Sequence, residues 1–160
     1  MIAELYKLAS LPVVWCLLVA YAVLPGGLWT SYAVVAVAVV AGGRDCLATA
    51  LCAVPSRHRF LALKTLTVAL LVLSLTASAR CVLLSLAGLG LALLTRGVVW
   101  PAAFLAGVPI LLTPVLRATV PRVVPFLPHE AAAAGRLPVL SAWAAASILA
   151  AWLAIRRRDV

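Results

Sequence analysis

The chain has 160 residues, of which 66% are hydrophobic and 11% charged, and its mean hydropathy is +1.20. So little polar surface cannot cover a water-soluble globule of this size, and the composition specifies an all-α integral membrane protein. The net charge of +9 does not point to nucleic acid, because the basic residues stand between or at the ends of apolar runs instead of interleaving with aromatics on one face.

Residues 1–10 place Ile2, Leu5 and Leu8 on one helical face and Glu4 and Lys7 on another, which reads as a short amphipathic helix at the membrane surface. A first span follows at about 8–24. It is expected to remain in the membrane, since Glu4 and Lys7 open it and no small-residue cleavage site follows it. Pro25-Gly26-Gly27 ends that helix, and 28–42 is a second span rich in Val and Ala, with Trp29 and Tyr32 at the level of an aromatic belt.

The segment 43–59, GRDCLATALCAVPSRHR, is the longest interruption of apolar sequence in the first hundred residues. Its part 46–54 can form a short helix that Pro55-Ser56 terminates, and Arg57, Arg59 and Lys64 lead into a third span at 60–79. A fourth span at 81–95 returns directly as an antiparallel neighbour. In it Gly88 and Gly90, with Ser85, suit close helix approach. The second and fourth runs are short for a bilayer and are expected to be extended by flanking residues. The fifth span, 98–116, carries Pro101, Pro109 and Pro114, which predict a kinked or split helix. The stretch 117–136 is a proline-bearing loop that either stays outside the bilayer or dips back into its surface. The sixth span, 137–155, has Trp143 and Trp152 near its ends and stops at Arg156-Arg157-Arg158.

Six spans put both termini on one side. With that side cytoplasmic, the inside set is Lys7, Arg44, Arg57, Arg59, Lys64, Arg96, Arg156, Arg157 and Arg158, against Arg80, Arg117, Arg122 and Arg136 outside. The positive-inside rule therefore sets both termini in the cytoplasm.

Catalytic chemistry has little material here. Glu4, Asp45, Glu130 and Asp159 are the only carboxylates, and they fall at span edges or in loops with no evident dyad. His129-Glu130 could bind a metal or carry a proton, but the adjacent pair reads better as the start of a helix. No run carries a charge in its middle, which argues against a proton-coupled carrier. Cys16, Cys46, Cys52 and Cys81 lack paired spacing and read as small buried hydrophobes. No phosphate-binding loop is present, so the chain reads as a non-enzyme without a cofactor of its own, and any ATP hydrolysis belongs to a partner.

Three stretches carry a resemblance: MIAELYKLASLPVVW before the first span, ALCAVPSRHRFLALKTL after the second, and FLPHEAAAAG ahead of a last helix that ends IRRRDV. In this order they resemble the type-2 ABC exporter permeases, of which this would be a short, divergent member. The resemblance implies a single permease domain over 1–160, paired with itself or a related permease in a bacterial cell membrane and driven by a cytoplasmic ABC ATPase. The substrate would be amphipathic, lipidic, drug-like or peptidic. The ATPase would press on Arg44, Asp45, Cys46, Pro55, Ser56, Arg57, Arg59 and Lys64. An external gate would be formed by Pro109, Pro114, Phe126, Pro128, His129 and Glu130. The alternative is a non-transporting scaffold whose apolar helices bind another membrane protein.

Overall fold

The computed structural model describes residues 15–16, 19, 28–43 and 57–157, and for residues 28–32, 42, 57 and 106 the backbone alone. Every regular element among them is helical: α1 (Leu28–Gly43), α2 (Arg57–Thr76), α3 (Ala79–Thr95), α4 (Val99–Gly107), a π turn (Val108–Leu112), α5 (Thr113–Thr119), a 3-10 turn (Val124–Phe126), α6 (Pro128–Ala133) and α7 (Leu137–Arg157).

Three stretches, His58–Thr76, Val99–Thr119 and Leu137–Arg157, are long and apolar enough to cross a membrane. Their outward side chains are what hydrocarbon accepts and water does not: Leu66, Leu70 and Leu73 on α2, Trp100 on α4, Leu111 in the π turn, Leu149 on α7. These features are those of a membrane protein. Trp15, Cys16 and Val19 are likewise exposed, so Cys16 is not the buried residue its apolar setting suggests; a thiol on an apolar helix can meet lipid as readily as protein.

The shorter helices sit inside. In α1 the consecutive residues Val37, Ala38, Val39 and Val40 are all buried, as are Leu84, Ser85 and the run from Ala87 to Gly90 in α3. Helices that are apolar all round are interior helices. Flanking residues lengthen them little: α1 adds Gly43 and α3 adds Ala79 and Arg80. The 17 residues of α3 rise about 25 Å, less than the roughly 30 Å of a hydrocarbon core. Packed against α1, α2 and α7, α3 meets protein where a peripheral helix would meet lipid.

Two glycines make this central position possible. A Cβ on Gly88 would lie 3.1 to 3.2 Å from Val35, Val39 and Leu105, whereas one on Gly90 would lie 2.6 to 2.8 Å from Ser147. Two residues along a helix turn the direction by about 200°, so Gly88 faces α1 and Gly90 faces α7. The close approaches suggested by their sequence are thus on opposite sides of one helix. At the end of α1, Gly43 comes so near the Gly97 backbone that a Cβ would sit 2.6 Å from its carbonyl carbon.

These contacts fix the directions. Gly88 beside Val35 and Val39, with Gly43 beside Gly97, runs α1 parallel to α3; Gly90 beside Ser147, with Arg80 beside Gly135, does the same for α7. The α2–α3 turn is only Ala77-Ser78, with Ala77 in the left-handed region at φ 48° and its N–H bonded to the Leu73 carbonyl at 2.8 Å, so α2 runs against α3. Arg59, Arg96, Arg156 and Arg157 therefore gather at one end of the bundle, and Arg80, Arg117, Arg122 and Arg136 at the other.

Two clusters of buried side chains hold the helices. One joins Val34, Ala38 and Ala41 of α1 to Val68 and Val72 of α2, Leu89 and Leu93 of α3 and Ala151 and Ile155 of α7. The other joins Val35 and Val39 to Leu84, Leu105, Leu140 and Ala131. Through Ala131 the short helix α6 is part of the core. Its end is closed by Gly135 at φ 68°, with the Arg136 N–H on the Ala131 carbonyl (2.8 Å) and the Gly135 N–H on the Ala132 carbonyl (3.3 Å). That paired hydrogen-bond pattern needs the left-handed residue glycine supplies.

Candidate functional site

Of the three prolines predicted to interrupt the fifth span, Pro101 lies in the first turn of α4, where a missing N–H costs least, and Pro109 and Pro114 act by a change of helical register. Proline has no N–H and its ring crowds the carbonyl four residues back. Between Pro109 and Pro114 the backbone widens into the π turn Val108–Leu112, and the Thr113 N–H donates to Val108 O, five residues back. The Thr113 hydroxyl donates to the same carbonyl at 3.0 Å. The Val108 carbonyl thus takes two donors from one residue, its backbone N–H and its hydroxyl, which fastens the widened turn at Thr113.

Thr113 is also where the loop fastens. Its Oγ1 lies 2.8 Å from Nε2 of the buried His129 in α6. The hydroxyl has one hydrogen, and Val108 O takes it; Oγ1 must therefore accept, and Nε2 must carry the proton. Neutral His129 is consequently the Nε2–H tautomer. Its Nδ1 is buried and has no hydrogen-bond partner among the described residues. Burial holds the imidazole below its ordinary pKa, Arg117 pushes the same way, and Glu130 opposes both.

Beside this bond, Arg117 of α5 pairs with Glu130 of α6 at 2.5 Å, and Glu130 Oε1 stands 3.8 Å from His129 Nε2. Arg117 is 63% exposed and Glu130 25%, so the pair contributes modestly. Glu130→Gln is expected to lower stability by under about 1 kcal/mol in thermal unfolding of the detergent-solubilised protein; a much larger loss would give the pair a structural role beyond its charge.

A further bond holds the loop from the other side. Trp143 of α7 donates Nε1–H to the Phe126 carbonyl at 2.8 Å, with the Phe104 ring 6.4 Å from the Trp143 ring. Thr113 lies six residues before the end of α5 and Trp143 six after the start of α7. Each is about 9 Å inside its helix. The segment 124–133 therefore folds back along the bundle instead of capping it.

Of the predicted gate residues, Pro109 and Pro114 frame the π turn, and Pro128, His129 and Glu130 are the first three residues of α6. Phe126 enters through its carbonyl, its ring being 60% exposed. The helix-start reading of His129-Glu130 and the functional one describe the same pair of residues. Thr113, Arg117 and Trp143 complete the cluster and were not singled out for it; the Thr113-Pro114 dipeptide was the available signal. Among the described residues no three His, Cys, Asp or Glu side chains group as a metal site.

Of the predicted coupling residues, Arg44, Asp45, Cys46, Pro55 and Ser56 lie outside the described residues. Arg57 opens α2 and Arg59 is exposed in its first turn. Lys64 is buried, with Nζ 5.3 Å from the centre of the Phe60 ring. It is an ionisable group inside a candidate span, in the set of side chains that most often carries function in membranes.

No known protein family, curated protein or solved structure matches the chain.

Proposed function

We propose that this chain is the transmembrane permease subunit of an ATP-driven exporter, working as a dimer with itself or a related chain and coupled to a separate cytoplasmic ABC ATPase. The observation that carries the reading is the proline-framed π turn bonded through Thr113 to the folded-back loop. Transport requires an element with two discrete arrangements. A proline-framed helix with a widened register, tied to a loop by one side-chain bond, is the part of this bundle best suited to such a change.

The coupling half of the proposal rests on the resemblance over residues 43–59, on the start of α2 just after Pro55-Ser56, and on the exposed Arg59. An ATPase that draws its two copies together would press this segment and tilt α2. The uncharged flanks of the helices suit an amphipathic, lipidic, drug-like or peptide substrate. A second reading, a scaffold that binds another membrane protein, is favoured by the exposed stripe Leu63, Leu66, Leu70 and Leu73 of α2, whose alternating three- and four-residue spacing suits a partner helix.

Purification of the intact complex in proteoliposomes separates the two. On the permease reading an ATPase co-purifies, and the Arg57→Ala/Arg59→Ala pair lowers its hydrolysis rate severalfold while the complex remains assembled. An unchanged rate, or the absence of any ATPase, would leave the scaffold.

A further inference from the structure

We infer that the 117–136 segment is a docking surface for acidic phospholipid headgroups, with the 120–127 loop embedded in the headgroup layer. The first support is depth. Three independent contacts hold this segment alongside the helices: His129 on Thr113, Phe126 O on Trp143, and the fully buried Ala131 in the cluster with Leu84 and Leu140. The two hydrogen-bonding partners lie about 9 Å inside their helix ends. Helices of 21 residues rise about 31 Å, close to the roughly 30 Å of a hydrocarbon core, so Thr119 and Leu137 stand at the headgroup boundary, the loop that leaves Thr119 starts there, and its bonded residues reach down among the upper acyl chains.

The second support is the chemistry of the outward face. Val120, Val123 and Phe126 are 45%, 46% and 60% exposed. Three apolar side chains on a loop would be unfavourable in water, and are at home among headgroups and upper acyl chains. The arginines interleave with them. Arg122 and Arg136 are exposed, as are Arg80 from α3 and the Glu130-paired Arg117, and Glu130 is the one acid at this end among the described residues. Four cations against one anion complement a phosphate layer, and a guanidinium binds phosphate through two parallel N–H donors. The inference requires that the helices cross a membrane. It does not depend on the chain being a transporter.

The test uses the full-length chain with its four cysteines replaced by alanine, Val123→Cys carrying an environment-sensitive fluorophore, in phosphatidylcholine bilayers with or without phosphatidylglycerol. Brominated lipids quench the probe, whereas aqueous iodide does not. The relative association of brominated phosphatidylglycerol over brominated phosphatidylcholine is well above one, and falls about fivefold for each of Arg122→Gln and Arg136→Gln. Arg157→Gln, at the opposite end, leaves it unchanged. Both tested arginines are exposed, so their loss does not compromise folding. Quenching by iodide alone, equal association of the two lipids, or a ratio indifferent to Arg122→Gln would each overturn the inference. So would competition by inorganic phosphate that displaces the lipid preference, since the site would then bind free phosphate.

Discussion

Gly90→Leu is expected to destabilise the protein by more than about 3 kcal/mol, enough to separate α3 from α7 in most molecules. The reason is backbone, not side chain. A Cβ at position 90 lies 2.7 Å from the Ser147 carbonyl carbon as well as 2.6 Å from its Oγ, so no rotamer of Ser147 makes room and the two helices must move apart. Ser147→Gly removes only the side-chain part of the clash and should restore a fraction of the loss. Even Gly90→Ala should cost on the order of 1–3 kcal/mol. Gly107→Ala is the internal control: a Cβ there meets nothing within 4 Å, and the helix gains up to about 1 kcal/mol from replacing glycine. Reversible unfolding in mixed micelles ranks the three variants. If Gly90→Ala is as benign as Gly107→Ala, the interior placement of α3 against α7 is wrong.

The second large effect concerns the bond between the loop and the π turn. Thr113→Val removes the acceptor of the His129 N–H and the hydroxyl on Val108 O together. A buried donor left without a partner costs about 1–3 kcal/mol. His129→Leu removes the other side of the same bond, so the double variant should lose distinctly less than the sum of the two single losses. Acidification should act on the same bond. Because burial holds His129 below its ordinary value of about 6.5, the unfolded chain takes up a proton that the folded one resists. The stability tied to neutral imidazole is therefore complete above about pH 6.5, drains as pH falls through that value, and stops changing below the folded-state pKa. Protonation would also place an N–H on Nδ1, which has no acceptor among the described residues. The measurement is the difference in unfolding free energy between wild type and His129→Gln as a function of pH, which cancels titration elsewhere. A difference that is flat between neutral and mildly acidic pH would show that His129 is not held neutral by its surroundings.

The helices themselves were legible because their apolar runs are long and their stops are strong: Pro55-Ser56 before α2, Arg96 after α3, Arg156-Arg157 at the end of α7. What composition could not reveal is which helices face lipid. The run in α1 is apolar along most of its length and in α2 the polar residues Lys64, Thr65, Thr67 and Ser74 form no outward stripe, so neither pattern tells inside from outside, and only the glycines at 88 and 90 mark α3 as the helix others approach. The prolines of the fifth span announced a disturbance without its form. The form is a π turn fastened at Thr113, whose N–H and hydroxyl both reach the Val108 carbonyl. His129 and Glu130 were noticed as a pair, but their partners Thr113 and Arg117 are 16 and 13 residues away, a distance that sequence spacing alone cannot bridge. Lys64 follows Arg57 and Arg59 in sequence, yet it falls on the inward face of α2 and is buried where Arg59 is exposed.

The two-residue connection between α2 and α3 bears on how the protein is made. Ala77-Ser78 is too short to let one helix enter a bilayer and the other wait outside, so the pair must be delivered as a single hairpin. In the packed bundle α2 keeps an outward apolar surface, whereas α3, no less apolar in sequence, is mostly covered by its neighbours. A longer linker at Ala77-Ser78 would let the two helices enter separately, and α3 would then meet lipid along the glycine faces that α1 and α7 cover in the bundle.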